Sequence, residues 1–303
     1  MVRLYDRLTP DFVVERGRDW VSYRGPRTVY LRNGSGPPRG IYLRGACDAP
    51  AMFTLAPLVI DELRGSLCVH MGGTGVSDAR SDLLLQTFTG VSPEFVEDVR
   101  SSFRLPGAYF EPTLFEPEFS VRGLPESERF PKTVVVLSVL PDLTRTMYRH
   151  RATGYLVDPG AGWLNDLAGA LEDLSFVDWF RRNFESIGLM SADDFGESYR
   201  RLVPAIREAT GAHVLVFNAL EVEPSDATHD YSVRDFESAT RRRRFNVALA
   251  ELAEELGFRV IDVDRVLKEQ GIERQVDFSH FPVERMRAVA VEARRILRDL
   301  GVL

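Results

Sequence analysis

One run of residues constrains the fold of this chain more than any other: TVVVLSVL at 133–140. A strand that is β-branched or aliphatic at nearly every position is buried on both faces, as in a parallel sheet covered by helices. The same signature recurs in AHVLVFNAL at 212–220 and FRVIDVD at 258–264. Short apolar strands are also predicted at 40–45 and 66–71, and a β-like stretch at 27–31.

Helices are predicted between these strands. Ser191 followed by Asp194 resembles a capping box, which marks a helix start. Gly257 directly follows a long amphipathic stretch and marks a helix end. The predicted helices cover residues 49–65, 191–209, 232–256 and 282–300. Strands that alternate with helices in this way predict an α/β sandwich with a mainly parallel sheet.

Two long stretches, 88–131 and 143–190, interrupt the alternation and exceed simple connections between a strand and a helix. We interpret them as insertions that cap the active face. A Gly/Pro-rich run at 33–40 separates an N-terminal extension, residues 1–38, from the main domain, residues 39–303. The four arginines at 241–244 are expected to form a solvated helix face.

The amino-acid composition limits the partners and the cellular compartment that we expect. The net charge of −7 argues against nonspecific binding to nucleic acid or to anionic membranes. Two cysteines do not make a disulfide scaffold and are typical of a reducing compartment. No apolar secretion-signal core and no run approaching 18 apolar residues is present, so we expect a cytoplasmic protein without membrane partners. The near-absence of lysine beside many arginines is typical of a GC-rich bacterial genome.

The most specific chemical signal is Asp277-x-x-His280, in the loop before the last predicted helix. The Asp277 carboxylate can accept the Nδ1–H of His280, which leaves Nε2 facing a pocket and stabilises the imidazolium. The pair could alternatively cap the helix in a purely structural role.

A nucleophile for this pair is predicted at Cys47, which follows the strand at 40–45 in a tight turn at the mouth of a helix. Helix N–H groups and the helix dipole would lower the pKa of the thiol and bind an oxyanion. The alternative is a small buried side chain, the commonest fate of a free cysteine and the one expected for Cys68.

These features together resemble the SGNH/GDSL hydrolase superfamily over about residues 40–303. The resemblance implies a three-layer α/β/α sandwich with a mainly parallel, flavodoxin-like five-stranded sheet. Gly45-Ala46-Cys47 stands where the family has Gly-Asp-Ser, and Gly72 or Gly73 where it has the oxyanion-hole glycine. Asp277 and His280 stand where it has its Asp and His.

The sequence departs from the family twice. A cysteine replaces the serine, a feature similar to a smaller branch of acyltransferases in polysaccharide biosynthesis. The oxyanion-hole Asn after the third strand is absent, because the sequence there is Leu140-Pro141-Asp142-Leu143. The remaining candidate donors are the backbone N–H groups of Cys47 or Asp48 and of Gly73, with Asn218 as a replacement side chain. Asp48 could instead be a helix N-cap, and Gly72 and Asp142 are candidate substrate contacts.

We therefore expect acyl transfer, or hydrolysis of an ester or thioester, through an acyl-Cys47 intermediate. The expected partners are small molecules: an ester or thioester donor, such as acyl-CoA or an acyl-carrier, and a hydroxyl or amine acceptor. No bound cofactor is expected, and no metal, since His150, His213 and His229 lack partners at metal-ligand spacing. One alternative is an inactive SGNH-like binding or assembly module, and another is an esterase using a loop serine such as Ser77.

Overall fold

The computed structural model describes residues 13–16, 21–23, 28–31, 39–44, 49, 52, 67–69, 79–97, 118–119, 130–158, 175–222, 235–271 and 283–303. The first five strands are β1 (Val13–Arg16), β2 (Val21–Tyr23), β3 (Thr28–Leu31), β4 (Arg39–Arg44) and β5 (Leu67–Val69). The others are β6 (Glu118–Phe119), β7 (Phe130–Ser138), β8 (Met147–His150), β9 (Leu156–Val157), β10 (Phe184–Gly188), β11 (His213–Phe217) and β12 (Arg259–Ile261).

The helices are α1 (Ser81–Thr89), α2 (Leu140–Thr144), α3 (Ser175–Asn183), α4 (Ala192–Thr210), α5 (Asp235–Leu256), α6 (Val263–Glu269) and α7 (Val283–Asp299). A short helical segment at 93–97 follows α1, and Ala49 and Met52 are helical where a helix over 49–65 is predicted. The predicted cap of α4 is confirmed, because the Ser191 Oγ accepts a hydrogen bond from the Asp194 N–H at 3.0 Å. Among the described helices, none is long and apolar enough to cross a membrane.

Among the residues that the structure describes, the main sheet has seven strands, and four neighbouring strands in the order β12-β11-β7-β4 are parallel. This confirms the predicted α/β fold with a parallel sheet between helices. The predicted five-stranded sheet is not seen, because β3 lies between β4 and β5 and is antiparallel to both. In this place β3 pairs with the edge of β4 that β7 leaves free.

Side-chain alternation along the parallel strands gives the sheet two buried faces. Residues on one face are at most 2% exposed and pack with α6 and α7: Ile41, Leu43, Val134, Val136, Leu215, Phe217 and Ile261. Residues on the other face are equally buried and pack with α4 and α5: Tyr42, Val135, Leu137, Val214 and Val216. Each such side chain contributes about 1.5–3 kcal/mol when fully buried, so both helical layers are needed.

The described part of the predicted insertion at 143–190 contains a separate antiparallel sheet in the order β10-β8-β9. Its own small core is formed by Phe95, Val157, Phe180 and Phe184. Phe180 stacks on Phe184 with ring centroids 4.7 Å apart. We call residues 147–188 the inserted unit.

Because both faces of the sheet are buried under helices, removal of the Phe245 ring should strongly lower the free energy of unfolding. Phe245 is 1% exposed on α5 and contacts the Phe195 ring at 5.0 Å. Phe245→Ala should lower the free energy of unfolding in urea by about 3–5 kcal/mol, because it leaves a cavity between α4 and α5. The control Val291→Ala, at a half-exposed position on α7, should change it by less than about 0.5 kcal/mol. Equal effects of the two substitutions would contradict this packing.

Candidate functional site

The parallel strands end at one edge of the sheet, which we call the carboxyl edge. Arg44, Ser138, Phe217 and Ile261 are the last residues of β4, β7, β11 and β12. The ladder continues past the strands, since the Val139 N–H donates to the Phe217 carbonyl at 3.1 Å. Ligands of open α/β sheets bind at this edge, where the predicted site residues follow the strands.

Most of the predicted site residues lie outside the described residues and stay predictions: Cys47, Asp48, Gly72, Gly73, Asp277 and His280. The elements on either side of the predicted Cys–His pair are described. Arg44 ends β4 three residues before Cys47, and Val283 begins α7 three residues after His280. The structure therefore describes the elements that lead to the pair, and not the pair itself.

The element after Cys47 and the start of α7 share one apolar cluster. Ala49 and Met52 are at most 1% exposed and belong to the cluster on the α6–α7 face of the sheet. Met286 and Val289, in the first two turns of α7, belong to the same cluster and are equally buried. The described elements nearest to the two predicted groups therefore pack in one apolar cluster.

Arg44 places a cation at the end of β4. Its side chain is 3% exposed, and the guanidinium lies 5.7 Å from the centre of the Tyr42 ring. A guanidinium stays charged under all ordinary conditions. A positive charge is thus held at the end of β4, three residues before the predicted nucleophile in the sequence.

Asp142, a predicted substrate contact, is enclosed by protein at the start of α2. Its carboxyl is 1% exposed, and the Oδ1 atom accepts hydrogen bonds from both the Ser81 N–H and the Ser81 Oγ at 2.8 Å. Burial raises the pKa of this carboxyl to about 7, because the two bonds from Ser81 offset only part of the desolvation. The structure gives Asp142 a protein partner, and its contact with substrate stays a prediction.

Asn218, the predicted oxyanion donor, directly follows β11. Its Nδ2 donates to Asp262 Oδ1 at 2.7 Å, and its Oδ1 accepts from the Asp264 N–H at 3.2 Å. A primary amide carries two N–H groups. An oxyanion-hole role would therefore depend on the second N–H of Asn218, and it stays a prediction.

Two arginines, the buried Arg80 and the half-buried Arg241, hold the ends of the inserted unit. Arg80, 3% exposed, donates from Nη1 to the Arg145 carbonyl at 3.1 Å and to the Gly188 carbonyl at 2.8 Å. Its Nη2 is 2.6 Å from Asp82 Oδ2. Arg241, on α5, donates to the backbone carbonyls of Leu143, Asp142 and Met190. The chain that enters the inserted unit and the chain that leaves it are thus tied to the same side chains.

The expectation of a solvated face for the four arginines at 241–244 is wrong for two of them. Arg242 is 4% exposed, and its Nη1 donates to the Leu220 carbonyl at 2.8 Å. Arg241 binds the three carbonyls just described. Asn246, one turn on, pairs with both backbone groups of Ala219, at 3.0 Å and 2.7 Å. This side of α5 positions the loops after β7 and β11. The sequence gives no signal for this role, because the acceptors are backbone carbonyls, which every residue has.

Within the described part of the chain, no cluster of His, Cys, Asp and Glu could hold a metal ion. His150 belongs to the aromatic core of the inserted unit, with its ring 5.4 Å from Phe95 and 5.0 Å from Phe184. Its Nδ1 lies 2.8 Å from Thr153 Oγ1. The contacts of His150 are therefore structural.

Comparisons with known proteins add distant likenesses only. No family model and no curated protein matches the chain. The acetyl xylan esterase AlAXEase matches 86% of this chain and 99% of its own, at 14% identity and a TM-score of 0.43. A protein described as a GDSL-like lipase, from Parabacteroides merdae, matches 83% and 81%, at 9% identity and a TM-score of 0.39. Another solved structure, with a TM-score of 0.32 and 13% identity, is matched over 57% of this chain and only 61% of its own length.

The burial of Asp142 predicts a pH-dependent stability. Between pH 3.8 and about 7 the folded state keeps a proton on this carboxyl that the unfolded state has released. Wild-type stability should therefore fall as pH rises through this window. Asp142→Asn removes the titration, so its free energy of unfolding relative to wild type should rise by at least about 1 kcal/mol from about pH 5 to about pH 8.

Urea unfolding at both pH values measures this difference. Glu208→Gln, at an exposed position on α4, is the control and should show no such change between the two pH values. A constant difference between Asp142→Asn and wild type would contradict a raised pKa at this position.

Proposed function

We propose that this chain is an SGNH-like enzyme that transfers or hydrolyses acyl groups through a covalent acyl-Cys47 intermediate. The observation that carries the proposal is the common cluster of Ala49 and Met52 with Met286 and Val289. Cys47 is two residues from Ala49, and His280 is six residues from Met286. Consecutive Cα atoms are about 3.8 Å apart, so the connections from this cluster span at most about 8 Å to Cys47 and about 23 Å to His280.

The charge at the end of β4 supports a thiolate. Cys47 Cα is at most about 11 Å from Arg44 Cα, since three peptide units separate them. The guanidinium of Arg44 is buried, so its field is screened less than that of a surface charge. A thiolate rather than a thiol is the form of cysteine that attacks carbonyl carbon.

The proposed reaction begins when His280 Nε2 takes the proton of the Cys47 thiol, with Asp277 accepting the Nδ1–H of the same ring. The thiolate sulfur attacks the carbonyl carbon of an ester or thioester. Backbone N–H groups of Cys47 or Asp48 and of Gly73, together with Asn218, would hold the oxyanion. When the tetrahedral intermediate collapses, the bond to the alkoxide or thiolate breaks, and the leaving group takes the proton from His280.

The second half of the reaction reverses these roles. Water, or a hydroxyl or amine acceptor, gives a proton to His280 and attacks the acyl-Cys47 thioester. The carbon–sulfur bond then breaks, and the sulfur regains its proton from the imidazolium. A thiol exchanges readily with thioesters, so an acyl-CoA or acyl-carrier donor suits this nucleophile. In this proposal Gly72 and Asp142 lie near the substrate, and the protein works in the bacterial cytoplasm.

One observation favours the alternative, a binding or assembly module without catalysis. The loop after β7, where the family has its oxyanion-hole Asn, is occupied by internal contacts. The Leu140 N–H donates to Ser138 Oγ at 3.1 Å, and the Asp142 carboxyl is bound by Ser81. A lost oxyanion donor costs about 10²–10³ in rate.

The proposal predicts a trappable acyl-enzyme. Wild-type protein mixed with an activated ester such as p-nitrophenyl acetate should gain one acetyl group at Cys47, read by intact mass and peptide mapping. Cys47→Ala should abolish the adduct and lower turnover by at least about 10³-fold. Cys68→Ser, the matched control, should keep both. Turnover that survives in Cys47→Ala would remove Cys47 from the mechanism.

Thiol reactivity separates the enzyme from the binding module. In the enzyme, the pH profile of iodoacetamide alkylation at Cys47 should have its midpoint at least about one unit below the ordinary cysteine pKa of about 8.5. His280→Ala should shift this midpoint upward, because the imidazolium partner is lost. Peptide-level mass spectrometry distinguishes Cys47 from Cys68. An inert Cys47, or one with an ordinary profile, would support the binding module.

A further inference from the structure

A groove runs along one side of α5. Its volume is about 950 Å³. One wall is the start of α4 with Leu189 before it, and the other is a stripe of half-buried and exposed residues on α5. We define the α5 stripe by Thr240, Arg244, Val247, Ala248 and Glu251, all of which line the groove.

The groove concentrates exposed apolar surface. Three large hydrophobic side chains are exposed among the described residues: Leu189 at 44%, Val247 at 54% and Val291 at 51%. Leu189 and Val247 both line the groove, whereas Val291 lies on α7. Apolar side chains gathered beside a concave surface are typical of association sites, because burying them against a partner removes them from water.

The α5 stripe carries charges of opposite sign at two positions, Arg244 and Glu251. Arg244 and Glu251 are seven residues apart, which is two helical turns or about 10.5 Å on the same side of the helix. Val247 and Ala248 lie between them. Arg244 and Glu251 form no ion pair with any other residue that the structure describes. A stripe with a cation at one end, an acid at the other and apolar groups between is complementary to its own antiparallel copy.

We propose that this chain forms a homodimer in which α5 packs antiparallel against α5 of a second copy. A two-fold axis between Val247 and Ala248 puts Arg244 of each copy opposite Glu251 of the other, so two ion pairs flank one apolar centre. Closed dimers use such isologous surfaces, in which the same patch contacts itself. Leu189, at the groove wall, extends the apolar centre.

Sedimentation velocity on the full chain tests the proposal over about 1–200 μM protein, a range that covers micromolar dimer affinities. Wild type should be dimeric in the upper part of this range. Val247→Asp should be monomeric throughout, because it puts two carboxylates together at the two-fold axis. Val291→Asp, with matched exposure on α7, should dimerise like wild type. Circular dichroism confirms that each variant is folded.

Charge reversal tests the register of the two helices. Arg244→Glu and Glu251→Arg should each weaken dimerisation by at least about tenfold, since each creates two like-charge contacts. The double variant Arg244→Glu/Glu251→Arg should return to within about threefold of wild type, because both pairs form again with reversed sign. Val247→Cys should also form a disulfide between copies under mild oxidation, identified by peptide mapping.

A wild-type chain that stays monomeric up to about 200 μM would overturn the proposal. A dimer that survives Val247→Asp, or a double variant no tighter than the single ones, would overturn it as well. These measurements need no substrate and leave Cys47 and His280 unchanged. Their outcome is therefore independent of the proposed acyl chemistry.

Discussion

The structure depends first on the burial of β7 from both sides. Val134 and Val136 point to the layer of α6 and α7, while Val135 and Leu137 point to the layer of α4 and α5, and none is more than 1% exposed. A strand with no face left for water needs helices on both sides and hydrogen-bonded neighbours along both edges. The two pairings of β7 with β4 and β11 are parallel, and they bring the strand ends to one edge.

Polar contacts then fix what lies at that edge. Arg80 and Arg241 donate to backbone carbonyls at both ends of the inserted unit, and Asn246 does the same for the loop after β11. A buried carbonyl left without a donor costs about 1–3 kcal/mol, so these side chains select one arrangement of the loops. The apolar core thus sets where the edge is, and the arginine contacts set how its loops are held.

Much of this architecture was predictable from local sequence patterns. The features that were not predictable depend on contacts between separate segments of the chain. The β-branched runs that form β7, β11 and β12, and the Ser191 cap of α4, are local signals, and the structure contains each of them. The position of β3 between β4 and β5 depends on its pairing with β5 as well as with the neighbouring β4, which a four-residue stretch does not reveal. The contacts of Arg241 and the burial of Arg242 depend on carbonyl acceptors that are 98 and 22 residues away in the chain.

For the candidate site, the order of the elements along the chain predicted that the site residues follow the strand ends. The hydrogen-bond partners of Asp142 and Asn218 were not predictable from the sequence and are shown by the structure. The proposed chemistry requires that a sulfur following β4 and an imidazole preceding α7 meet above the cluster that Ala49 shares with Met286. The distance between Cys47 Sγ and His280 Nε2 in a crystal structure of the chain tests this most directly. We expect these two atoms to lie within hydrogen-bond distance for sulfur, about 3–4 Å. A separation beyond about 6 Å, in crystals with and without a bound thioester analogue, would contradict it.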